Sequence, residues 1–342
     1  MKVFWDERQR AHAPAFFMLR GTRMTNFEVE ARADALLALC REAGLAIHAP
    51  SDPSPLDAVR EVHADDYLAF LRDGHAAWAA IPGAAPEIVP NCHPAPEMIE
   101  DGARVPPHIM GQAGWYTYDT SVPIGPKTWE AALASAACAV AAADEAAAGR
   151  SAYALCRPPG HHAYPRRAAA HCLINNAAVA AERLRAAGAA RVGVLDIDCH
   201  HGNGTQHIFW RRDDVRTVSV HGDPASCYPW YVGHASERGA GPGAGCNLNL
   251  PLPRGTGDEV WMRAVRAGLR ALQGCDALVV SLGLDAHRDE PLGYLGVGDD
   301  GYARAGEAIR AHGLPCAIVQ EGGYNTESIG RLLGRFMQGL QG

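Results

Sequence analysis

No two cysteines in this chain form a CxxC pair, although it holds ten. Scattered thiols argue against a zinc-finger site and a disulfide framework, and a reducing cytoplasm is the expected location. An excess of positive charge is also missing, since the net charge is −7. Phosphate contacts need clustered Lys and Arg, so no nucleic-acid partner is expected. No apolar run approaches the ~20 residues that span a bilayer, so no membrane partner is expected either. The opening MKVFWDERQR has only a three-residue apolar run before its charges begin, which does not read as a signal peptide. Internal repeats are absent. What remains is 342 residues, 48% hydrophobic and 20% charged, as in an ordinary soluble globular protein with a large core. Its negative balance is compatible with a cationic substrate.

Five segments read as buried parallel strands: AYALC (152–156), RVGVLDID (191–198), RTVSVH (216–221), ALVVSLGLD (277–285) and CAIVQ (316–320). They are short and rich in Val, Leu and Ile, as strands covered on both faces must be. Helical segments are expected at 129–148, 175–187, 258–272 and 302–312. Asn175 and Asn176 are plausible caps of the second, and Gly188 stops it. The alternation predicts an α/β fold with a mostly parallel central sheet and helices on both faces. From Ile81 to Pro126 the chain is rich in Pro and Gly with little periodicity. This 81–126 stretch reads as a long insert, either a lid, rim or oligomer contact, or a passive surface loop.

The chemistry concentrates where strands end. LDIDCHHGNGTQ begins as an apolar strand and runs into a Gly-rich turn. Asp196, Asp198 and His200 are spaced two apart, so on an extended chain they share one face. Ligands of parallel α/β folds bind at the carboxyl ends of strands. Buried carboxylates there are costly unless a cation neutralises them, and Asp with His suits a borderline cation such as Zn²⁺. Asp285, in SLGLDAHRDEP, holds the same strand-exit position and supplies a third ligand. Three protein ligands leave a coordination place open, where bound water is acidified toward a pKa of about 7.

CRPPGHHAYP then places His161 and His162 behind a stiff turn at another strand exit. Metal-activated water needs a base and a leaving amine needs an acid, and imidazole serves both near neutral pH. Asp196 is available to orient one imidazole and Asn203 the other. A carboxylate raises its histidine's basicity more than an amide does, so the two should titrate apart. QEGGYNTES presents Tyr324 after two glycines, read as a mobile turn, where a phenol could stabilise an oxyanion.

With RPPGHHA (157–163), NNAA (175–178), DIDCHHGNGT (196–205), SLGLDAHRDEP (281–291) and QEGGYN (320–325) in order, the chain resembles the arginase/deacetylase superfamily. More narrowly, it resembles the histone deacetylase and acetylpolyamine amidohydrolase branch. The resemblance implies one single-domain arginase/deacetylase-like fold over 1–342. It implies that Asp198, His200 and Asp285 hold one catalytic Zn²⁺, with Fe²⁺ as an alternative. It pairs His162, as general base, with Asn203. It pairs His161, in an electrostatic or acid role, with Asp196, and it gives Tyr324 to the acetyl carbonyl. It also implies a structural K⁺ held by Asp196, Asp198, His200, Ser219 and Val220. Arginase itself pairs two Mn²⁺ ions through a D-x-H-x-D pattern, but the position two past His200 is Gly202.

GWYTYDTSVPIGPKTWEAA (114–132) and HGDPASCYP (221–229) are similar to the acetylpolyamine branch, where the place of the 81–126 insert is a dimer loop. A homodimer through that insert is therefore expected, and Glu87, Glu97, Glu100 and Asp101 make the insert acidic. His171 and Cys227 are read at tunnel-wall positions that are usually aromatic, with Leu292 as a third wall. The implied activity is zinc-dependent removal of the acetyl group from an acetylated amine, first of all an acetylpolyamine. The alternatives are another small xenobiotic or metabolite amide, protein acetyl-lysine, or a catalytically silent binder on the same scaffold.

Overall fold

The computed structural model describes residues 1–342. In chain order the strands are β1 (Lys2–Phe4), β2 (Phe16–Leu19), β3 (Thr22–Thr25), β4 (Ala46–His48) and β5 (Ala152–Ala154). They continue as β6 (Val192–Asp196), β7 (Val215–Gly222), β8 (Asn247–Leu252), β9 (Ala277–Leu282) and β10 (Cys316–Gln320). Strands β2 and β3 form a separate antiparallel hairpin. The other eight form one sheet in the order β4-β1-β5-β10-β9-β6-β7-β8, and every pairing in it is parallel.

The helices of the amino-terminal part are α1 (Glu30–Glu42), α2 (Leu56–Arg60), α3 (Asp65–Ala79), α4 (Pro96–Glu100), α5 (Ile109–Trp115) and α6 (Thr128–Ala147). Those that follow are α7 (Asn176–Ala186), α8 (Asn203–Phe209), α9 (Asp258–Ala271), α10 (Asp299–His312) and α11 (Ile329–Gln341). None is long and apolar enough to cross a membrane.

Strand alternation divides the core. On β9, Ala277 and Val279 join one apolar cluster, while Leu278, Val280 and Leu282 join the other. Helices α6 and α7 cover the first face, and α1, α9, α10 and α11 cover the second. Every residue of α6 from Ala131 to Ala143 is buried, so the helix is apolar all round. Its alanines fit a helix wedged between the sheet and α7, because a methyl group lets backbones approach closely. Asn175 caps α7 as expected, its side chain accepting from the Ala178 amide at 2.9 Å.

The five expected strands and four expected helices are present, with ends shifted by a few residues. Three-residue strands such as β1 and β4 are too short to show alternation, and they become visible only through their pairing. The 81–126 insert has more structure than its composition suggests. Ile88 and Ile124, both buried, bond to each other in both directions at 2.9 and 3.2 Å and close its base. Helices α4 and α5 lie within it, and Met98, Ile99 and Met110 are exposed on them.

Candidate active site

The sheet register assembles the candidate residues. Asp196, at the end of β6, pairs with Ser281 of β9 on one side and Ser219 of β7 on the other. Beyond these ends, β6 leads to Asp198 and His200, β9 to Asp285, and β10 to Glu321 and Tyr324. Strand β5, next to β10, leads to the turn bearing His161 and His162. Residues far apart in sequence thus meet at the carboxyl edge of neighbouring parallel strands.

The donor atoms of Asp198, His200 and Asp285 lie within 4.8 Å of one another. His200 Nδ1 is 3.3 Å from Asp198 Oδ1 and 3.0 Å from Asp285 Oδ2. Regular β6 pairing stops at Asp196, so a shared strand face is not what aligns Asp198 with His200. A turn does, in which Asp198 Oδ1 accepts from the His200 amide at 2.8 Å. The remaining oxygens are anchored: Gly322 N donates to Asp198 Oδ2 and Cys199 N to Asp285 Oδ1, both at 2.8 Å.

Gly322 is not a mobile hinge. A Cβ there would lie 2.4 Å from Asp285 Oδ2 and 2.6 Å from Asp198 Oδ2, so only glycine lets the backbone reach the carboxylates. Both acids are buried, and burial together with neighbouring Asp198 pushes Asp285 up to about 6. Two buried carboxylates sharing one site are expensive without a counter-charge. Two carboxylate oxygens and an imidazole nitrogen converging there fit a borderline divalent cation. His200 keeps 15% of its side chain exposed, on the open side of the triangle.

The adjacent histidines have different partners. His161 Nδ1 lies 2.9 Å from Asp196 Oδ2, and His162 Nδ1 lies 2.6 Å from Asn203 Oδ1, with the two rings 4.0 Å apart. The Asn203 amide donates to the Tyr118 hydroxyl at 2.8 Å, which turns its oxygen toward His162. His162 therefore carries its proton on Nδ1 and leaves Nε2 as an acceptor. Burial works against a charged His161, but Asp198 and Asp196 overcome it and push that imidazole up to about 10. Burial, then His161 and His200, hold His162 well below the usual histidine range. The two environments thus set the rings apart, raising the proton affinity of His161 and lowering that of His162.

Three buried groups to which the motifs gave no role hold this arrangement. Glu321 Oε2 accepts from the Gly160 and His161 amides at 2.7 and 3.1 Å, fixing the histidine turn. Arg32 binds Glu28 at 2.9 Å and the Gly323 and Glu321 carbonyls, and its guanidinium lies 4.7 Å from the Tyr324 ring centroid. Glu290 accepts from the Tyr324 and Asn325 amides at 2.6 and 3.3 Å. Glu290→Ala leaves those amides without their acceptor, at about 1–3 kcal/mol, and loosens the Tyr324 turn. The expected result is a kcat about tenfold lower with metal content unchanged. An unaltered kcat would show that Glu290 does not position Tyr324.

The tunnel wall has an aromatic residue beside the expected Cys227. Cys227 belongs to the buried apolar cluster, and a Cβ placed on Gly222 would lie 2.8 Å from its Sγ. The ring that faces the histidines is that of Tyr228, with its centroid 5.0 Å from His162 and 6.3 Å from His200. The Cys227 amide bonds back to the Asp223 carbonyl within this turn. Tyr228 also donates its hydroxyl to Asp119 Oδ2 at 2.8 Å. His171 is buried beside Tyr324, with centroids 5.7 Å apart, and its Nδ1 has no partner. Leu292 is half-buried in the turn after Glu290. Of the residues expected around potassium, Asp196 and Ser219 are register partners on β6 and β7 and line a common cavity of about 10 Å³.

The chain matches the histone deacetylase domain over residues 26–340. It is 40% identical to acetylpolyamine amidohydrolase 1 of Pseudomonas aeruginosa, over 100% of this chain and 99% of that protein. Acetylpolyamine amidohydrolase of Mycoplana ramosa is 39% identical, with both chains covered in full. Acetylpolyamine aminohydrolase from Burkholderia pseudomallei, a crystal structure, superposes with a TM-score of 0.94 at 41% identity, covering 99% of this chain and 98% of that one. The shared sheet, helices and full-length identity lead to one conclusion: this chain is an amidohydrolase of the histone deacetylase family, with the arginase/deacetylase fold.

Proposed function

We propose that the chain removes the acetyl group from linear acetylated amines, acetylpolyamines foremost, with water as the second substrate and acetate as the co-product. The observation that carries this reading is the pair His161 and His162, 4.0 Å apart with opposite partners, beside the Asp198–His200–Asp285 triangle. One divalent cation, Zn²⁺ in preference to Fe²⁺, would be held by that triangle and would polarise the acetyl carbonyl and acidify water. His162 Nε2 takes the proton of the attacking water, and its Nδ1–H stays on Asn203. His161, oriented by Asp196, faces the negative charge that develops and is a proton source for the departing amine. Tyr324 donates its hydroxyl to the carbonyl oxygen as that oxygen gains charge. Asp196 beside Ser219 supports a potassium ion behind the triangle, and exposed Met98, Ile99 and Met110 support a dimer through the insert.

The full-length likeness to proteins named for acetylpolyamines supports the substrate class. So do the net charge of −7 and the acidic groups Glu97, Glu100 and Asp101 on the exposed face of the insert. Glu87 is not among them, because it is buried with Oε1 accepting from the Ala15 amide. Buried His171 favours a second reading, another small amide, because it puts a polar ring beside Tyr324. A turnover panel of acetylputrescine, acetylcadaverine, acetylspermidine and aryl amides separates the two. The acetylpolyamines should give the highest kcat/KM, and a panel led by aryl amides would replace the first reading with the second.

A further inference from the structure

Trp230 takes no part in the hydrolytic machinery, yet the chain accepts an unfavourable conformation to place it. Its φ is +61°, in the left-handed region that bulky side chains avoid. The turn that holds it is tight: Trp230 N donates to the Cys227 carbonyl at 3.0 Å and Tyr231 N to the Pro229 carbonyl at 2.7 Å. The indole is 50% exposed, so the core gains little from it. Its ring meets Tyr228 edge to face at 5.1 Å, and the ring of Tyr228 meets His162 at 5.0 Å. Tyr228 thus lies between the reacting groups and the indole, and the indole continues an aromatic path from His162 toward solvent. Asp119 accepts the Tyr228 hydroxyl at 2.8 Å, along with the Ser121 and Ala170 amides, and so places a carboxylate next to Tyr228.

Outward from the reaction centre, the groups are therefore a tyrosine, a nearby carboxylate and a half-exposed indole. An indole face attracts cations through its quadrupole, and tryptophan is the strongest of the aromatic side chains in this respect. Building on the acetylpolyamine reading, we propose that Trp230 determines specificity by receiving the distal ammonium of a linear acetylated polyamine whose acetamide end lies between His162 and Tyr324. The free ammonium of a short acetylated diamine would remain near Tyr228. A longer acetylated triamine would carry its terminal ammonium to the indole.

The test uses the full-length, metal-loaded enzyme with Trp230→Asn and Trp230→Phe. Asparagine tolerates the left-handed backbone, so the first variant removes the ring without adding strain. The substrates are monoacetylated spermidine, acetylputrescine and a neutral N-alkylacetamide as long as the spermidine derivative. For Trp230→Asn, the kcat/KM ratio of acetylspermidine over the neutral amide should fall about tenfold, carried by KM, while Trp230→Phe retains part of it. Acetylputrescine should show a smaller fall than acetylspermidine.

An unchanged ratio, or an equal loss on cationic and neutral substrates, overturns the assignment and leaves Trp230 a plain apolar wall. A change of oligomeric state in Trp230→Asn, with an unchanged ratio, makes it a subunit contact instead. Failure of the underlying substrate reading has a different signature. Wild-type enzyme would then hydrolyse the neutral amide and none of the acetylated polyamines, which overturns both.

Discussion

Asp285→Ala is expected to abolish metal binding and turnover together. Of the three converging donors, this one supplies the oxygen 3.0 Å from His200 Nδ1, and it comes from a different strand than the other two. Its loss leaves Asp198 and His200, held two residues apart by a local turn, and two ligands do not retain a divalent cation tightly. The polypeptide has no substitute nearby, because the neighbouring buried carboxylates are engaged: Asp196 with His161, and Glu321 and Glu290 with two backbone amides each. Inorganic analysis should find about one equivalent in the wild type and almost none in the variant. Added metal should raise the Tm of the stripped wild type by mass action and leave that of the variant unchanged. A variant that keeps a full equivalent and normal activity would show that the metal lies elsewhere.

His162→Ala should lower kcat by roughly 10²–10⁴-fold, the usual value of a positioned general base, and keep its metal. The second outcome distinguishes it from Asp285→Ala. His162 binds Asn203 and lies ring to ring with His200 at 6.1 Å, outside the donor triangle. Loss of metal from this variant would move His162 among the ligands. The pH profile adds an independent check. Burial holds His162 below the ordinary histidine range, so it stays unprotonated as the pH falls through 6.5. Activity should therefore persist into moderately acid solution and fall only where His162 takes up a proton. Asn203→Asp places a carboxylate on Nδ1, which favours the imidazolium and should shift that acid limb to higher pH. A limb that does not move would detach Asn203 from the titration of the base.

The residues around the reaction centre were legible to different degrees, and for a consistent reason. Asp198, His200 and Asp285 stand at strand exits, so the apolar run before each one signals where it must emerge. The histidine pair was legible from the stiff turn around it. Glu321, Glu290 and Arg32 were not, since each acts by contacting residues remote in sequence: Glu321 holds the turn of Gly160, and Arg32 reaches the carbonyl of Gly323. Tyr228 was missed, and Gly322 was taken as mobile where it is packed against two carboxylates.

By itself, then, the amino-acid sequence determined the parallel α/β character of this protein and the chemical groups offered at its strand ends. Both are properties of consecutive residues: apolar runs of strand length, helix caps, and polar groups placed just beyond. The tertiary structure alone decided how those groups combine. The order β5-β10-β9-β6-β7 is not the order of the chain, and it is this order that sets Asp285 beside Asp198 and the Tyr324 turn beside both. It also decided which aromatic ring meets the histidines, because rotation within a turn is set by the hydrogen bonds and packing of the surrounding elements. In the turn after β7, those contacts put Tyr228 against His162.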